Sequence, residues 1–298
     1  TSRAPDTVVA EGMLPEGHRA TIEDVATIAV MAGARPEFLP VILATATMLA
    51  DQRLEPFTRS VNSFAFAQLV SGPYAEHIGM NGRGGALSPG NQANAAIGRC
   101  LHLMLRNLGG AREGFSVSQA QGNPMSWALA FTENTESPWP HYSTRQGFDA
   151  GQTTVTLFAG AISHMGNFYY DDLTVLAEAL TSVDLPNGAL ILLSAKRAAE
   201  LKVLGHDPMS IAEEIQNGAV TTLGKFRSSG FYPLRKAEIE AQRPGTWPLS
   251  YLTDPDEKKV PFFPPGSIDV AVVGSDVSSV MQAWHVRRHA SSLVDEWL

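Results

Sequence analysis

Residues 64–110, FAFAQLVSGPYAEHIGMNGRGGALSPGNQANAAIGRCLHLMLRNLGG, decide the fold. Phe64 to Val70 reads as a strand, closed by Ser71, Gly72 and Pro73. Gly79, Gly82, Gly84, Gly85 and Gly90 follow within twelve residues. Ser88-Pro89 then supplies an N-cap and a proline suited to the first helical position, so a helix is expected to begin there. Its apolar face is Ile97, Leu101, Met104, Leu105 and Leu108, with Arg99, His102 and Arg106 projecting elsewhere, and Gly109-Gly110 ends it. Strand, glycine-rich bend and helix in that order form the unit of an α/β protein.

Residues 1–20 hold Pro5, Gly12, Pro15 and Gly17 with no period, which predicts an extended arm lying over another surface, such as a partner subunit. Thr21 with Asp24 is close to a capping box. Ile22, Val25, Ile28, Ala29 and Ala32 continue at helical spacing to Gly33. Pro36 opens a second helix, and Phe38 to Ala50 is apolar on nearly every side, so the two form an N-terminal helical hairpin. Downstream, short apolar strands at 125–131, 153–158, 189–193 and 268–273 alternate with helices at 171–182, 195–204, 209–217 and 277–288. The alternation predicts an α/β fold, a layered sheet with at least some parallel strands flanked by helices. Three parts are expected: the arm 1–20, an α/β domain 21–150 carrying the glycine-rich loop, and a second α/β half or domain 151–298, divided in the loop Arg145–Gly151. Residues 224–266, rich in Pro, Gly and aromatics, are expected to wrap the surface or an interface.

With 44% hydrophobic and 17% charged residues in 298, the chain has the makings of a sizeable core. A net charge of −8 without a basic run leaves nucleic acid and anionic membranes without an electrostatic basis. Small molecules or proteins are the expected partners, and a homo-oligomer is the expected state. Cys100 is the single cysteine, so an intrachain disulfide and a Cys-rich zinc site are excluded and a reducing compartment is expected. Together with the lack of a charged-then-apolar opening segment, this predicts a cytoplasmic protein. The longest apolar stretch, Phe38 to Leu49, stops at Asp51, short of the roughly 20 residues a bilayer span requires.

Unsatisfied N–H groups at a helix start can hold an anion, and glycines let it come close, so Gly79 to Asn91 is one candidate site. Asn81, Arg83, Asn91, Asn94 and Arg99 would supply its polar contacts. The bend matches neither a Walker A pattern nor a clean G-x-G-x-x-G unit, so no nucleotide or other cofactor is expected; the same glycines also suit a tight crossover beside the core. The second candidate is Glu133-Asn134-Thr135-Glu136-Ser137-Pro138-Trp139-Pro140-His141-Tyr142 after a strand. There Glu133 or Glu136 with His141 could exchange protons, and Trp139 could wall a substrate, or the loop could be capped with its Trp in the core. His285 and His289, four apart on the expected last helix, share a face as metal-ligand pairs do but lack the intervening Glu, and His164 follows a strand; no metal is assigned. Asp171-Asp172 would cap a helix, and Cys100 inside its helix reads more simply as a structural thiol than a reactive one.

Gly72-Pro73, Ile78-Gly79-Met80-Asn81, Ser88-Pro89-Gly90-Asn91, Ala93 to Arg99, Arg106-Asn107 and Gly109-Gly110, extended by Glu133-Asn134 and Ser137-Pro138-Trp139, resemble the bacterial UGSC-type family. The resemblance covers about residues 21–150. It implies kinship with proteins linked to the selenoprotein components of glycine reductase, many of which carry a redox-active Cys or selenocysteine near the N-terminus. No Cys-Gly-Ser-Cys-like element exists in this chain, so that thiol chemistry is not carried over.

The leading expectation is a small-molecule enzyme of lyase, hydratase or hydrolase type. Glu133, Glu136 and His141 would transfer protons on an anionic or carbonyl-containing substrate held by Asn81, Arg99 and the loop amides. The alternatives are a non-catalytic subunit or binding module of an oligomeric complex, and a thiol redox protein.

Overall fold

In the computed structural model, which describes residues 1–127, 129–160 and 173–298, the chain opens on an antiparallel hairpin of β1 (Val8–Met13) and β2 (His18–Thr21). The segment expected as an extended arm thus closes on its own chain. Met13 and Leu14 are buried, and the Leu14 N–H donates to the Leu49 carbonyl at 3.0 Å. Thr21 ends the hairpin and caps α1 (Ile22–Met31) in a reciprocal capping box with Asp24. α2 (Leu39–Met48) follows, buried on nearly every side. After the short α3 (Glu55–Thr58), β3 (Ala65–Ser71) and α4 (Pro73–His77) lead through the glycine-rich bend to α5 (Gln92–Leu103). The cap of α5 is Asn91, not Ser88: its side chain accepts from Asn94 N–H at 3.0 Å and also donates to the Gly79 carbonyl at 2.9 Å, pinning the bend to the helix start. The carboxamide carries its acceptor and its donors on separate atoms, so one side chain reaches both ends.

The strand expected over 125–131 is shorter. Pro124–Trp127 turns as a 3-10 helix, and only Ala130–Thr132 extends as β4. Next come α6 (Tyr142–Arg145), β5 (Thr154–Gly160), α7 (Leu173–Leu180), β6 (Ala189–Leu193), α8 (Ala195–Val203) and α9 (Pro208–Gly218). β7 (Val220–Thr222), α10 (Leu223–Arg227), α11 (Tyr232–Glu240), α12 (Ser250–Thr253) and β8 (Lys259–Pro261) gather around a small core of Phe226, Ile239, Trp247 and Tyr251. β9 (Ile268–Val272) comes next. The helix expected over 277–288 is instead two strands, β10 (Met281–Trp284) and β11 (Arg287–Leu293).

The strands form two principal sheets. One runs in the order β11-β5-β3-β4, with β3 and β4 parallel; the other runs β10-β6-β9, with β6 and β9 parallel. Because side chains alternate across a strand, each sheet has two apolar faces. Ala65, Ala67, Leu69, Phe131 and Phe158 of the first meet Leu190, Leu192, Ala271 and Trp284 of the second. Phe66, Val70, Val155 and Leu157 point the other way, under α1, α2 and α5. Ile191, Leu193, Val270 and Val272 lie under α7, α8 and α9. The result is a mixed α/β architecture of four layers: helices, sheet, sheet, helices. Asp269, buried between the sheets, accepts from Tyr142 Oη at 2.7 Å and pairs with Arg288 at 2.9 Å. Among the described residues no helix is long and apolar enough to cross a membrane.

Candidate functional site

Parallel pairing brings the ends of β3 and β4 to one edge of the sheet, which puts Ser71 beside Glu133. The two stretches singled out in the sequence meet there. A Cβ on Gly82 would lie 2.1 Å from the Glu133 carbonyl oxygen, Gly274 N–H donates to the Gly82 carbonyl at 2.9 Å, and Asn134 N–H to the Val272 carbonyl at 2.8 Å. This is close backbone packing, which only a glycine permits. Asn81, Asn91 and Asn94 are bonded within the bend: Asn94 Nδ2 donates to the Asn81 and Ala86 carbonyls at 2.9 and 3.0 Å, and Asn81 Nδ2 to the Gly84 carbonyl at 3.0 Å. Arg83 and Glu136 form an ion pair at 3.0 Å with their side chains 61% and 54% exposed, at the surface. Trp139 is buried among the residues on the helical side of the second sheet.

Glu133 itself is 1% exposed at the side chain and well supplied with donors. Its carboxylate accepts from Ser71 Oγ and Tyr142 N–H, each at 2.6 Å, and from Arg145 at 3.3 Å. His141 Nδ1 faces it at 3.6 Å, while the imidazole is 38% exposed. The carboxylate holds the His141 pKa above its ordinary value against the opposing effect of burial. The arrangement can present a protonated imidazole to solvent.

A different place holds the room for a ligand. A cavity of about 830 Å³ lies at the opposite end of β3, walled by Phe64, Phe66 and Gln68, by Gly98 to Asn107 of α5 and its continuation, and by the loop 111–127. Such a volume lies within the range of roughly 300–1,000 Å³ common for small-molecule sites. Three hydrogen bonds tie the covering loop down beside β3: Ala120 N–H to the Val61 carbonyl at 3.0 Å, Gln119 Nε2 to the Phe64 carbonyl at 2.9 Å and Asn123 Nδ2 to the Ser63 carbonyl at 3.0 Å. The helix wall does not stay regular. Met104–Leu108 is a π-helical turn, whose wider ring turns Leu105, Arg106 and Asn107 onto the cavity.

Arg99, assigned to the bend by sequence, belongs to this cavity. Its guanidinium lies 5.8 Å from the centre of the Trp127 ring, and among the described residues no carboxylate pairs with it. Arg106 pairs with Glu113. His102 lies between the two arginines on the helix and its pKa is lowered, first by burial and then by Arg99 and Arg106. From Gln68, the lining residue of β3 nearest that end, to Ser71 the strand runs three residues, about 10 Å at 3.3 Å per residue, so the cavity and the Glu133–His141 pair are separate sites. Sequence reasoning missed the cavity because its cover, 111–127, carries no periodic pattern. The signal available was the i, i+3, i+7 spacing of Arg99, His102 and Arg106 on one helix.

The remaining candidates fall apart in space. His285 is buried between β10 and β11 with Nδ1 3.1 Å from the Leu185 carbonyl, and His289 in β11 meets Asp51 at 3.3 Å, so the two do not share a helical face. Among the described residues no group of three or more His, Cys, Asp or Glu is placed to hold a metal ion. His164 and Asp171-Asp172 lie outside the described residues. Cys100 is buried in the helix-side core, which pushes its thiol up to about 12. Compared with protein-family models, curated proteins and solved structures, the chain finds no match.

Proposed function

We propose that this chain is a small-molecule enzyme working by acid/base chemistry on an anionic, carbonyl-containing substrate held in the cavity against α5. One observation carries the reading, a local reversal of charge. The chain has a net charge of −8, yet among the described residues the cavity is lined by Arg99, Arg106 and His102 against Glu113 as the one carboxylate. In a partly dry hollow, a guanidinium without a carboxylate partner favours an anionic guest. Arg99 would grip the anionic group. His102, kept neutral near pH 7 by burial and its two cationic neighbours, would accept a proton from the substrate, while the guanidiniums stabilise charge developing on the carbonyl oxygen. Lyase, hydratase and hydrolase steps all draw on these roles. Gly98, Arg99, Arg106 and Asn107, which carry part of the resemblance to the UGSC-type family, are among the lining residues.

A thermal-shift screen of organic acids tests it. Some acid is expected to stabilise the wild type, to lose that effect in Arg99→Gln, and to keep it in His102→Gln while turnover falls about 10²–10⁴-fold. Acids that stabilise Arg99→Gln as strongly as the wild type would place binding elsewhere and end the proposal.

A second reading rests on the 3.6 Å approach of His141 to the buried Glu133, which makes His141 the general acid of a surface site at the other end of β3. It predicts that His141→Gln loses turnover and that His102→Gln retains it.

A further inference from the structure

Building on the reading of the cavity as a substrate site, we infer the class of its occupant: an amphipathic monocarboxylate with an aromatic or branched hydrocarbon body. The helical wall carries two adjacent stripes. Gly98, Leu101 and Leu105 recur at i, i+3 and i+7, as do Arg99, His102 and Arg106, one position further along; within α5 that step is about 100° around the helix, and the π-helical turn carries Leu105 and Arg106 onto the same cavity. The leucines are buried, whereas the Arg106 side chain is 42% exposed. The apolar stripe therefore faces inward, where Phe64, Phe66 and Leu129 continue it, and the cationic stripe lies nearer solvent. A guest matching both stripes has a hydrocarbon body pointing in and a charged head pointing out.

The charge on the walls sets the charge of that head. Arg99 and Arg106 contribute two positive charges and Glu113 one negative, with His102 neutral, which leaves one net positive charge. Glu113 already occupies Arg106, so among the described residues of the lining the uncommitted cation is Arg99. A single planar guanidinium matches a carboxylate, edge to edge through two hydrogen bonds. A phosphate monoester would bring a second negative charge for which the described residues of the lining hold no free cation. Trp127, 72% exposed and close to Arg99, offers an open aromatic wall for a ring next to the head group.

Four probes decide the matter by NMR titration of the full chain: 3-phenylpropanoate, its neutral amide, acetate and phenyl phosphate, each at millimolar concentration. 3-Phenylpropanoate is expected to move resonances of the cavity residues and to bind about tenfold or more tighter than the amide or acetate. Arg99→Gln is expected to lose that margin, and Arg106→Gln, at a more exposed position, to keep most of it. The His102 imidazole pKa is expected to rise on binding, because the carboxylate offsets the guanidiniums. Phenyl phosphate binding more tightly than the carboxylate overturns the monocarboxylate class and leaves the cavity as the substrate site. An amide as tight as the acid overturns the anionic head. If none of the four moves a cavity resonance, the class and the site fall together.

Discussion

The buried Glu133 carboxylate raises the His141 pKa above the ordinary 6.5, against the opposing effect of burial. A folded pKa above the unfolded one means that this contribution to stability is complete below pH 6.5 and fades as pH rises through the folded value. Urea unfolding followed from about pH 5 to 9 is expected to show the loss in the wild type and not in His141→Gln. Glu133→Gln is expected to cost about 2–4 kcal/mol, read as a lowered urea midpoint, because it removes the charge facing Arg145 and weakens the bonds from Ser71 and Tyr142. Cys100, with its thiol pushed up to about 12, is expected to react with a disulfide reagent only after unfolding, and Cys100→Ala is expected to keep full turnover. That Glu133 and His141 lie side by side was legible, since both follow a strand end within nine residues. It could not reveal that Asn81, Asn91 and Asn94 satisfy one another, because that depends on how the bend folds back on α5.

Among the elements, the bend and the last two strands differ most in what they disclosed. The glycines of 79–90 announced a tight path, and Gly82 accounts for it: a methyl group there would overlap the Glu133 carbonyl. Gly82→Ala is expected to cost more than about 2 kcal/mol in denaturant unfolding, since backbone rather than a flexible side chain must yield. β10 and β11 were unreadable for a physical reason. In β10, Met281, Ala283 and Trp284 are buried, which erased the alternation that marks a strand, and Met, Gln and Ala favour helix by propensity; β11, half-buried along its whole length, is mostly polar and small and shows no apolar alternation either. β6, equally covered, was legible because Ala189 to Leu193 is a short aliphatic run bounded by Gly188 and Ser194. The cavity lay beyond reach at this scale: its walls come from α3, β3, α5 and a patternless loop, joined only in the folded chain.

For the molecule as a whole, alternating strands and helices revealed the α/β class but not the stacking of two sheets. A strand buried on both faces has the same composition whether a helix or another sheet covers it. The contact between the sheets is centred on Trp284, fully buried and edge-on to Phe131 at 5.6 Å between ring centres. Trp284→Ala is expected to cost about 3–5 kcal/mol, measured by chemical denaturation, because it opens a void between two layers that cannot close independently. The order of strands has a consequence for biosynthesis. β11 pairs with β5 across a separation of 135 residues, as Thr156 and Ser291 exemplify, so the ribosome exposes β5 long before its neighbour exists. Until then the growing polypeptide carries an open apolar strand edge of the kind that recruits chaperones or stray strands. Yield in a cell would depend on how fast residues 161–286 are translated and shielded.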